Sequence, residues 1–103
     1  MEKGLSKDWT PEMEAGFQKA LSGTRSWAER HFAMMMGTLL KYDYRTKEGK
    51  KAYARIRLSL VTATDQDLQE LAELSQIGLQ ALIETREEIK ARGIPKEHIA
   101  GRR

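Results

Sequence analysis

Apolar residues recur along most of this chain at three- and four-residue steps, the spacing of one face of an α-helix. Met13, Phe17, Ala20 and Leu21 share the first such face. It begins at Thr10-Pro11-Glu12, with Thr as N-cap, Pro at the first helical position and acids in the first turn. Ser22-Gly23-Thr24 closes it, which predicts a helix over 11–21. Trp27, His31, Met35, Thr38 and Tyr42, flanked by Phe32 and Leu39, repeat the spacing for about four turns. Ser26 and Glu29 have the form of a capping box, so a second helix is expected over 25–42.

The stretch 38–62 fits two patterns. With period two, Leu40, Tyr42 and Tyr44 alternate with charged residues, and Ala52, Ala54, Ile56, Leu58 and Leu60 do so beyond Gly49. A β-hairpin turning at Lys47–Lys50, with a bulge at Gly49, would set Tyr44 opposite Ala52 and Leu40 opposite Ile56. With helical period, Thr46 caps a segment in which Ala52, Tyr53, Ile56, Leu60 and Ala63 cover roughly 100° of one face. Composition favours the helix. Leu and Ala occur eleven times each, Val once and Asn never, whereas strands favour β-branched and aromatic residues. Residues 36–46 also contain no loop long enough to separate a helix comfortably from a strand.

The last long element is a helix over 65–92. Thr64 and Asp67 mark its start, and Leu68, Leu71, Leu74, Ile77, Leu79, Leu82, Ile83 and Ile89 carry its apolar spacing. Gly93 suits the position after its end, and Pro95 stops it. Gly78 within it costs about 1 kcal/mol relative to Ala, which marks a place for a break or a close crossing. The expected fold class is all-α, a small bundle of about four helices at 11–21, 25–42, 47–62 and 65–92. The alternative is α+β, with a β-hairpin at 38–62 between helices. At 103 residues the chain fits one domain. Residues 1–10 read as a flexible lead-in with Trp9 as an anchor, 11–93 as the helical domain and 94–103 as a basic tail.

Charge changes this picture by being sorted into blocks. Residues 1–40 balance. Residues 41–57 set Lys41, Arg45, Lys47, Lys50, Lys51, Arg55 and Arg57 against Asp43 and Glu48. Residues 58–89 set Asp65, Asp67, Glu70, Glu73, Glu84, Glu87 and Glu88 against Arg86 alone, and the tail is basic again. The overall charge of +3 hides this segregation, which points to partners, or further copies of the chain, selected by charge.

Several function classes find no support. There is no cysteine, so disulfides, thiolate metal sites and a thiol nucleophile are excluded. The longest apolar run, Phe32 to Gly37 with Leu39 and Leu40 beyond it, is far short of the ~20 residues that span a bilayer. The N-terminal MEKGLSKDW lacks the apolar core of a signal peptide, and a cytoplasmic protein without membrane contact is expected. His31 and His98 stand in no metal-ligand or nucleophile pattern, and no phosphate-binding glycine loop is present. His31, on the Trp27–Met35 stripe, is expected to be a packed, hydrogen-bonded side chain. No catalytic residue, metal or cofactor is assigned.

The basic centre is the leading candidate for function. Lys41, Arg45, Lys47, Lys50, Lys51, Arg55 and Arg57 are interleaved with Tyr42, Tyr44 and Tyr53. Lys and Arg bind phosphates, and an exposed aromatic such as Tyr44 can stack on unpaired bases. The helical pattern lines up Lys47, Lys51 and Arg55 as one ridge, and the hairpin pattern puts Lys41, Arg45, Lys51, Arg55 and Arg57 on one face. Met34, Met35 and Met36 point about 100° apart on a helix and cannot all enter one core face. Met34 and Met36, with Leu74, Leu79 and Ile83 of the last helix, are therefore expected to meet a partner.

The run Arg55-Ile56-Arg57-Leu58-Ser59-Leu60, followed by an acidic helix with Leu68, Leu71 and Leu74, then Gly78 and a further helical stretch, loosely resembles a ribbon-helix-helix DNA-binding module. That resemblance covers about a third of the chain. It implies a strand from which Arg55, Arg57 and Ser59 read the major groove in a dimer.

The expected function is non-enzymatic: an accessory nucleic-acid-associated factor that contacts phosphates through the ridge at 41–57. The alternative is a protein–protein adaptor or inhibitor that docks through its Met-rich and long amphipathic helices. The expected partners are nucleic acid or an acidic protein surface, with assembly into a homo-oligomer or larger complex.

Overall fold

A computed structural model of the chain describes residues 4–93. The tail expected over 94–103, with His98, lies outside the described residues, as do residues 1–3. The described residues form five α-helices in order: α1 Pro11–Ser22, α2 Trp27–Lys41, α3 Lys47–Leu58, α4 Asp65–Ser75 and α5 Leu79–Arg92. A single 3-10 turn, Ser59–Thr62, joins α3 to the α4 linker.

The helix starts are set by local chemistry. Thr10, Ser26, Thr46 and Thr64 each accept a bond from the backbone N–H three residues on, at 2.9–3.1 Å. At Thr64 the Asp67 carboxylate returns a bond to the cap's own N–H, completing a capping box. Such caps contribute about 1 kcal/mol each.

The hairpin alternative for 38–62 is not formed. Residues 47–58 are helical, and no strand occurs among the described residues. The strand implied by the ribbon-helix-helix resemblance is absent for the same reason, since Arg55 and Arg57 lie on α3 and Ser59 opens the 3-10 turn. The period-two signal at Tyr42 has another origin. Tyr42 is extended and bridges antiparallel to Leu5, with Ser6 N–H donating to the Lys41 carbonyl and Asp43 N–H to the Gly4 carbonyl, both at 2.7 Å. Part of the expected lead-in is thus paired to the α2–α3 connection.

The helix expected over 65–92 is two helices. Gln76 adopts the left-handed conformation (φ 61°), and Ile77 and Gly78 carry the chain into α5. The break lets α5 turn back and pack on both α4 and the 3-10 turn.

The core lies where α2, α4, α5 and the 3-10 turn meet. Ala28, Leu60, Ala63, Leu68, Leu71 and Leu82 fill it, flanked by Trp27, Phe32, Ala72, Leu79 and Ile83. Arg86 is buried at its edge and clamps α5 to the α4 entry, donating to the Ala63 carbonyl (3.2 Å) and to Asp65 (2.6 Å). His31 is buried as well. Its ring stacks on Trp27 at 4.8 Å and its Nδ1 lies 2.8 Å from Ser59 Oγ. Burial pushes its pKa below the ordinary value.

Helix α1 contributes no buried residue and is held at the periphery. Phe17 lies against Gly37 of α2, where a Cβ would overlap its ring, and Trp9 meets Phe17 edge-on at 6.2 Å. Lys41 is fastened beneath them. Its Nζ pairs with Glu14 at 2.7 Å and sits 5.6–5.9 Å from the rings of Trp9, Phe17 and Tyr42.

Candidate nucleic-acid interface

Helix α3 is positioned by its first turn. Asp43 C=O accepts from both Thr46 N–H and Thr46 Oγ–H, while Thr46 Oγ accepts from Gly49 N–H. Gly49 is buried against that same carbonyl, which a Cβ would overlap. The helix is thereby pinned through its Gly49 side, and Ala52, Tyr53 and Ile56 continue the half-buried face.

The opposite face is basic. Lys47, Lys50, Lys51, Arg55 and Arg57 are all exposed. At about 100° per residue they occupy one continuous arc of the helix. Glu48, the one acid of α3, borders this arc at its Arg55 edge and is half-buried. Among the described residues, no ion pair engages Lys47, Lys50, Lys51 or Arg55.

The remaining bases of the sequence block are placed differently. Lys41 is 7% exposed and paired with Glu14, so it is not part of the exposed ridge. That pairing, with hydrogen bonds from Gln18 and Trp9, holds the Glu14 carboxyl down at about 2. Arg45 is exposed but folds onto Asp43, with backbone N, Nε and Nη2 donating at 2.9, 3.1 and 3.2 Å. These bonds hold the Asp43 carboxyl below its usual range. Arg57 reaches Glu88 of α5 at 3.6 Å. Tyr44 is 59% exposed and meets Tyr53 edge-on at 5.0 Å, beside the ridge.

The apolar residues expected to meet a partner do not form one surface. Met36 is exposed next to Leu39 and Leu40, at a groove between α1 and α2 that includes Met13 and Phe17. Met34 is half-buried and lines a second groove, between α1, α2 and α3. Leu74 is exposed near Ile77 at the α4–α5 break, whereas Leu79 and Ile83 pack against the core. Sequence reasoning missed both grooves, because each needs α1 laid across α2.

Among the described residues no group of three His, Asp or Glu side chains could hold a metal ion. No described helix is long and apolar enough to cross a membrane. No protein-family model matches the chain, and neither does any curated protein or solved structure.

Proposed function

We propose that the chain is a non-enzymatic binding protein that holds nucleic-acid phosphates along the exposed face of α3. The observation that carries this reading is the acid-free arc of Lys47, Lys50, Lys51, Arg55 and Arg57, four of whose members have no ion pair among the described residues. A cation ridge of this kind attracts polyanions by releasing their counterions, without reading sequence. Lys47 and Lys50 also stand in the first turn of α3, at the positive end of the helix dipole. Each is unfavourable there by roughly 0.3–1 kcal/mol, and a bound anion relieves that cost.

A second reading, docking to an apolar partner, is favoured by Leu40, Leu39 and Met36, which are 62%, 49% and 44% exposed on α2. The two differ in salt dependence, because apolar docking is not weakened by salt. A mobility-shift assay at low salt distinguishes them. Native protein is expected to retard DNA or RNA, and the Lys51→Glu, Arg55→Glu variant is expected not to, with its helical content unchanged. No shift by the native protein would refute the phosphate reading.

A further inference from the structure

Beside the ridge lies a groove of about 230 Å³ whose walls come from three helices. Phe17 and Leu21 of α1, Met34 of α2 and Ile56 of α3 make it apolar, and Arg30 and Arg55 stand at it. Both arginines are exposed, and neither has an ion pair among the described residues. Arg55 belongs at once to the groove and to the phosphate ridge. The volume lies below the roughly 300–1,000 Å³ of pockets for drug-sized ligands and suits one planar ring system.

We infer that this groove receives an unpaired base of a single-stranded nucleic acid whose phosphates lie along α3. The inference rests on the phosphate reading above and narrows its ligand. The bases of a duplex are stacked and paired, so none can leave the stack to enter a side groove without unpairing. A single strand following Lys51 and Arg55 can turn a base toward Phe17 and Ile56. There the guanidinium planes of Arg30 and Arg55 provide stacking surfaces and the apolar walls exclude water. Tyr44, exposed on the other flank of α3, offers a second stacking surface. The occupant must carry both anionic charge and an apolar plane, and a single strand supplies the two at one repeat.

The test compares three single strands with equal numbers of phosphates at the same salt: an oligothymidylate, an oligouridylate and the corresponding abasic strand. The native protein is expected to bind the base-bearing strands roughly tenfold more tightly than the abasic strand, the scale of one stacked base. Ala52→Leu, which fills the groove from α3, is expected to erase that difference while leaving abasic-strand binding unchanged. Should Ala52→Leu fail to fold, Arg30→Gln, an exposed change off the ridge, is expected to reduce the same difference. Equal affinity of the native protein for base-bearing and abasic strands would overturn the groove assignment and leave the phosphate reading standing. No binding of any of these probes would overturn both.

Discussion

Arg57 of α3 and Glu88 of α5 meet at 3.6 Å, and among the described residues theirs is the one ion pair joining the basic centre to the acidic segment. The two charge blocks could have neutralised each other within one subunit. They do so at this point alone, and the rest of the α3 ridge faces solvent. Three acids of the segment pair elsewhere: Asp65 and Glu87 hold Arg86, and Glu88 also meets Arg92 at 3.1 Å.

Replacing Glu88 by Gln should therefore free Arg57 without unfolding the protein. Both side chains are about half exposed, and such pairs contribute about 0–1 kcal/mol. Thermal unfolding should shift little, while affinity for a polyanion at low salt should rise. A fall in affinity would show that Arg57 needs Glu88 for its placement.

Acid should weaken the α1 attachment through Glu14. Its pKa is lowered from 4.5 to about 2 by the bond from Lys41, then by those from Gln18 and Trp9. The stability this gives is fully present above pH 4.5 and is lost as pH falls from 4.5 toward 2. In Glu14→Gln that limb should disappear, so denaturant midpoints across this range should fall less steeply than in the native protein.

His31 gives a second window, of its own sign. Burial lowers its folded-state pKa below 6.5, so the unfolded chain takes up the proton first. Stability should be full above pH 6.5 and decline as pH drops below it, levelling off at the depressed folded value. His31→Phe keeps a ring against Trp27 and removes the proton site. Unfolding measured in this window should then lose its pH dependence.

Two glycines should respond in opposite directions. Gly49→Ala drives a methyl into the Asp43 carbonyl at the start of α3, and overpacking of this kind costs about 1–3 kcal/mol. It should also lower polyanion affinity, because the ridge is aimed from this turn. Gly16→Ala, inside α1 with nothing within 4 Å of the new Cβ, should stabilise by about 0.5–1 kcal/mol. Chemical denaturation of the two variants checks both signs.

What was legible in the sequence followed from local chemistry. Thr10-Pro11, Ser26, Thr46 and Thr64 announce their helices because a cap needs only the next three residues. Gly78 marked the weak point of the last helix. The left-handed turn at Gln76 did not show, because it depends on α5 packing back onto α4. Tyr42 gave a true extended signal, but its partner, Leu5, lies far upstream, and alternation alone drew a hairpin with the nearer 52–60. The ridge was readable because Lys47, Lys51 and Arg55 are neighbours on one helix. The burial of Lys41 and the Arg30–Arg55 groove were not, since both are made by α1 closing over α2.

The most direct measurement is the salt dependence of single-strand binding. Each phosphate neutralised contributes about −0.7 to the slope of log affinity against log salt, so Lys47, Lys50, Lys51 and Arg55 together predict a slope of roughly −3. Lys51→Gln with Arg55→Gln should reduce it by about half and weaken binding at every salt concentration. A native slope near zero, or one that these two substitutions leave unchanged, would contradict a phosphate-binding ridge on α3.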